Sequence, residues 1–172
     1  MRTLLRKLNW RLMLVHFFAF CIFIYAFREF MFLHDLKYIF DFANAYVHKK
    51  NLSGFSYTRF SNDQKWIGAG GLIGLLVGFA ISLTVCIRSK WFWLNPLLIF
   101  LLTFFLHRFI IQFELGYYIS HLFFHLPAWI RLGGTGCIIL FTGCYLFFSI
   151  HINGFIKNGK FVPKPQKSAT ME

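Results

Sequence analysis

The chain has 172 residues, of which 58% are hydrophobic and only 14% charged, with 25 Phe and a net charge of +12. A single soluble core of that length cannot bury 25 Phe together with four apolar runs of spanning length, so an ordinary soluble domain is excluded and lipid is the solvent for most of the chain. The positive charge sits at the ends of the apolar runs rather than on one folded basic face, which favours anionic lipid headgroups and argues against nucleic acid.

Residues 1–11 are basic and precede an apolar run, the pattern of a secretory leader. The run is too long for one and has no small-residue cleavage site, so it is expected to stay as a permanent span. This first span reads from about residue 12 to 33, roughly 33 Å at the helical rise and long enough to cross a bilayer. Arg28 and Glu29 fall near its far end, where long side chains reach the headgroups. Between residues 35 and 49, Leu36, Ile39, Phe40, Ala43, Tyr46 and Val47 recur at helical spacing opposite Asp35, Lys37, Asp41 and His48. That pattern predicts an amphipathic helix lying in the interface. Residues 51–63, with Gly54 and several Ser and Asn, read as a loop.

The second span, about 66–87, carries a small residue at every fourth position: Gly70, Gly74, Gly78, Ser82 and Cys86. On a helix these share nearly one face, and in lipid such stripes are a common device for bringing helix backbones together. A tight basic turn follows, then Trp91 and Trp93 mark an interface, and Asn95-Pro96 reads as a cap and first turn. The third span is expected over about 92–111, followed by an aromatic, His-containing stretch, 113–130, read as a second interfacial helix or an extension of the third span. The fourth span, about 132–152, offers a matching small face through Gly136 and Gly143. Residues 157–172 form a polar tail. The fold expected is therefore all-α: a single domain, 1–156, built as a four-transmembrane-helix bundle with one or two outer interfacial amphipathic helices.

Orientation follows from the placement of Lys and Arg. With both termini cytoplasmic, ten of the 18 basic residues lie on that side in short segments, while five of the six acidic residues lie opposite. All four Cys (Cys21, Cys86, Cys137 and Cys144) sit inside apolar runs and form no CxxC, so they read as small apolar side chains rather than a disulfide framework. A bacterial inner membrane is the expected location.

Two constellations could carry chemistry. The first is the pair of small-residue faces, which would serve contact with a partner subunit or a second copy, or contact within the bundle itself. The second is an ionisable string of His107, Arg108, Glu114, Tyr118, His121 and His125. On one continuous helix Glu114, Tyr118, His121 and His125 would share a face, and His121 with His125 could ligate one metal. Arg28, Glu29, His34 and Asp35 would lie on the same side of the membrane, with Arg108–Glu114 or Arg28 and Glu29 as ion-pairing groups. The alternative reading is an ordinary interfacial belt of His, Tyr, Trp and Arg. His16 and His151, from different spans, could bracket a haem b. No nucleophile elbow, phosphate loop or paired intramembrane Asp is present, so no enzyme is expected and no cofactor is required. The leading expectation is a non-catalytic small integral membrane subunit, packing on another membrane subunit or on itself. An oligomeric pore, channel or small transporter is the alternative, with a haem- or metal-binding redox subunit less favoured.

Overall fold

The computed structural model describes residues 8–112, 118–119, 121–122 and 125–159. Among them there is no strand, and four helices are long and apolar enough to cross a membrane. The fold is an all-α four-helix membrane bundle. The basic residues Arg2, Arg6 and Lys7, Glu114, the centre of the 113–130 stretch and the tail from residue 160 lie outside the described residues.

Helix α1, Trp10–Phe32, starts where the Asn9 side chain accepts the N–H groups of Arg11 and Leu12. That satisfies two of the donors a helix start leaves without partners. A 3₁₀ turn, Leu33–Asp35, bends the chain into α2, Leu36–Val47. The helix is amphipathic, but the buried face is not the one expected: Ile39, Phe42 and Ala45 are buried, while Phe40, Ala43, Tyr46 and Val47, assigned above to the apolar face, are exposed together with Lys37, Asp41 and Asn44.

Helix α3 spans Tyr57–Arg88, capped by Ser56, whose hydroxyl accepts the Arg59 N–H. The expected loop over 51–63 therefore ends at Ser56, and Tyr57–Lys65 is a polar extension of the second span. At 32 residues α3 is about 48 Å long, well beyond a hydrocarbon core of about 30 Å, so these first turns project from it. Two side chains hold α2 against this projection. Arg59 Nε donates to Asp35 Oδ2 at 2.7 Å, and the Phe42 ring stacks on Phe60 with centroids 4.2 Å apart.

Helix α4 covers Leu94–Gln112. Asn95 does not cap it as the sequence suggested. Its Oδ1 instead accepts the Asn9 N–H from the start of α1, and its Nδ2 donates to the Phe92 carbonyl. Helix α5, Ala128–Phe148, begins directly after Pro127 and so includes the last residues assigned above to an interfacial segment. The fourth span does not run unbroken to residue 152. Ser149 is extended, and a separate helix α6, Ile150–Asn158, follows and closes on Gly159 in the left-handed conformation.

α1 is the hub. It contacts α3, α5 and α4 along its length, whereas α3 and α5 meet each other only slightly. Its apolar window is half buried, against 28% for that of α4. The main core gathers Leu12, Ala19, Phe20, Phe23 and Ile24 of α1 with Leu75 and Cys86 of α3, Ile99 of α4 and Phe147 of α5. The end of the bundle that carries α2 is called the cap side below, and the end with Asn9, Trp91 and α6 the tail side.

Candidate functional site

Both small-residue faces are occupied inside the chain. A Cβ on Gly70 would lie 2.9 Å from the Phe27 carbonyl oxygen, one on Gly74 would strike the Phe23 carbonyl, and one on Gly78 would sit 3.3 Å from the Phe20 ring. Ser82 and Cys86 continue the line, both fully buried. The matching face of α5 meets the opposite flank of the same helix, with Gly136 against Phe30 and Gly143 against Phe23. The two faces do not meet each other. Phenylalanines of α1 lie between them, and their bulk is why both neighbours are reduced to glycine at the crossings.

Polar groups within the bundle form two zones. On the tail side, the wholly buried His16 ring places Nδ1 2.7 Å from the Ser82 hydroxyl and lies edge-on to Phe147 at 4.9 Å. Trp91 flanks it at 6.5 Å. The His16 ring is thus enclosed by Ser82, Phe147 and Trp91, and its Nε2 is buried without a hydrogen-bond partner. A recess of about 510 Å³ opens nearby, lined by Asn9, Lys90, Trp91, Phe92, Trp93 and Asn95. Its Lys and Trp content suits an interface with headgroups.

The cap-side zone is richer. α1 reaches two carbonyls in the last described turn of α4: the Tyr25 hydroxyl donates to that of Ile110, and Arg28 Nη1 donates to that of Ile111 at 3.3 Å. The Arg28 stem crosses α3 at Gly71, where a Cβ would lie 3.4 Å from Arg28 Cδ and 2.9 Å from His107 Nε2. Gly71 is thus the floor on which Arg28 and His107 rest.

The ionisable string of the third span is therefore only partly assembled. His107 joins Arg28, whereas Arg108 is exposed. Tyr118, His121 and His125 are exposed, and Leu122 and His125 lie in turns rather than on one continuous helix face. Among the described residues no group of three His, Cys, Asp or Glu side chains is placed to hold a metal. Asp35 belongs to the surface pair with Arg59, which raises the Arg59 pKa chiefly through that hydrogen bond.

Two carboxylates, Glu29 and Asp63, are each 92% buried with one oxygen that has no hydrogen-bond partner, and Glu29 lies within the first span. Arg28 is its nearest opposite charge, but the guanidinium is committed to α4. Two residues of α5 share this condition: Thr135, wholly buried, has an unpartnered hydroxyl, and Arg131 has an unpartnered buried Nε. Sequence reading did not single out Arg131, Gly71 or Tyr25. Arg131 falls just before the fourth span as read, Gly71 stands beside the stripe rather than in it, and Tyr25 sits inside an apolar run. The chain matches no protein-family model, no curated protein and no solved structure.

Proposed function

We propose that this protein is a non-catalytic small integral membrane subunit that works in a complex, with another membrane protein or with copies of itself. The cap carries this reading. α2 is fixed to the projecting base of α3 by the Asp35–Arg59 pair, by the Arg59 guanidinium 4.2 Å from the Tyr38 ring, and by a stack of Phe42 on Phe60. The mounted α2 presents Tyr46 and Val47 beside polar Lys37, Asp41 and Asn44, and the base of α3 presents Tyr57, the three at 67–75% exposure. A rigid platform with exposed aromatic side chains next to a bilayer suits recognition of a partner, because aromatic anchors lose little conformational entropy on docking. The small-residue faces, occupied by α1, would then serve to set the platform in place rather than to meet the partner.

A bacterial inner membrane with both termini cytoplasmic is part of the proposal, supported by the distribution of Lys and Arg along the chain. On that orientation the cap faces outward. The second reading, a small transporter, is favoured by the unpartnered polar atoms at Glu29, Thr135 and Arg131.

Native mass spectrometry of the gently extracted protein tests the proposal. Additional subunits, or a defined homo-oligomer that dissociates in a Tyr46→Ser/Tyr57→Ser variant, support it. A monomer carrying only lipid rejects it.

A further inference from the structure

We propose that Glu29 is a proton-binding site within the membrane bundle, reached from the cap side along the seam between α1 and α5. The inference holds whether the chain works alone or in a complex.

The register of the seam is fixed by two contacts. Phe23 lies against Gly143 and Phe30 against Gly136, so the helices run antiparallel and each step outward on α1 matches a step back on α5. Glu29 is then level with residue 137, Thr135 sits about 3 Å further toward the cap, and Arg131 about 6 Å beyond Thr135. The rows match in direction as well. On α1, Tyr25 and Glu29 are one turn apart, and on α5, Arg131, Thr135 and Ile139 form one i, i+4 row. Tyr25 and Ile139 pack in the same cluster, with Ala26 and Ile110. The next turn outward from that cluster therefore brings Glu29 and Thr135 to the same part of the seam, with Arg131 nearer the mouth.

Each of the three carries a buried polar atom without a partner. Thr135 is telling among them. Three other threonines in spanning helices, Thr84, Thr103 and Thr142, donate their hydroxyls to the carbonyl four residues back. Thr135 does not, and its hydroxyl is left with bonding capacity toward the seam. Buried polar atoms arranged in a row are satisfied by ordered water, which needs a polar site with several partners. The row stops at the apolar cluster of Tyr25, Ala26, Ile110 and Ile139, which makes the inlet one-sided.

The occupant follows from charge. An ionised carboxylate with no cation bonded to it is costly in a low-dielectric interior, and the cost is removed when it takes up a proton. The step is a transfer from hydronium to Glu29 Oε2, which forms an O–H bond and leaves water. A metal cation is disfavoured by Arg131 at the mouth and Arg28 beside the carboxyl. The charged and titratable groups on the cap-side parts of the surrounding elements are Tyr25 and Arg28 on α1, Asp63 and Lys65 on α3, His107 and Arg108 on α4 and Arg131 on α5. Arg28 acts on Glu29 through its charge but no bond joins them, since adjacent helix residues point about 100° apart and Nη1 donates to the Ile111 carbonyl.

The test uses the full-length protein in lipid nanodiscs and two readouts. Dicyclohexylcarbodiimide, an apolar reagent that adds to protonated carboxyls, is applied across a pH series and located by peptide mass spectrometry. Infrared spectra of wild type and Glu29→Gln are compared in parallel. Expected results are an adduct on Glu29 that declines as pH rises, a carboxylic-acid C=O band that follows the same titration and is missing from Glu29→Gln, and labelling slowed several-fold in Thr135→Val. No Glu29 adduct together with identical infrared spectra overturns the site. Labelling as fast in Thr135→Val as in wild type overturns the seam as its route.

Discussion

Among the described glycines, Gly74 has the tightest contact with another helix backbone, and the cost of adding a side chain there is a direct measure of that contact. A Cβ at Gly74 collides with the Phe23 carbonyl, which cannot rotate away as a side chain can, whereas Gly68, on the same helix, has nothing within 4 Å. Gly74→Leu is expected to destabilise by about 1–3 kcal/mol or to prevent assembly of α3 on α1, while Gly68→Leu leaves stability unchanged. Thermal unfolding in detergent separates them, and equal melting of the two variants would mean that the helices are not in contact. Ser82 argues the same point with a polar group. Ser82→Ala removes the partner of the wholly buried His16 Nδ1, and an orphaned buried donor or acceptor costs about 1–3 kcal/mol. The variant should melt lower than wild type, and an additional His16→Phe change should restore part of the loss by removing the orphan.

At the scale of elements, α4 is the span most dependent on its neighbours' side chains, since its apolar window is only 28% buried. Tyr25 and Arg28 donate to its Ile110 and Ile111 carbonyls, so Arg28→Met is expected to loosen that turn while leaving α1, α3 and α5 intact. Hydrogen exchange should show faster amides over Leu106–Gln112 alone. Uniform loss of protection would assign Arg28 a role in the whole bundle instead. The elements themselves were largely legible: four apolar runs of crossing length and one amphipathic repeat correspond to α1, α3, α4, α5 and α2. The misread boundaries have physical reasons. Tyr57–Lys65 is a solvated helix with little apolar periodicity, announced only by the Ser56 cap. The break at Ser149 is masked because apolar residues continue on both sides of it, from Phe147 and Phe148 to Ile150 and Ile152. Asn95 looked like a cap because its residue type suits one, but the tertiary bond to Asn9 takes precedence.

For the molecule as a whole, the residue types of the polar zones could be read from the sequence but their meeting could not. Glu29, Thr135 and Arg131 converge only through the α1–α5 register, which is set by glycines meeting phenylalanines, and no spacing within a single span encodes it. The same register decides between a closed bundle and an open pore. Between the His16–Ser82 pair and the Glu29 zone lies a layer of Phe20, Phe23, Ile24, Leu75 and Phe147, each no more than 1% exposed. Polar groups reach this layer from both ends and neither set crosses it. Water in such a layer would forgo its hydrogen bonds, which argues against ion passage and for proton exchange at Glu29 from the cap side alone. Proteoliposomes of the wild-type protein are therefore expected to hold a K⁺ gradient as long as protein-free vesicles do. Leakage scaling with protein content would show that the layer opens, and would return the small-residue faces of α3 and α5 to consideration as the wall of a conduit.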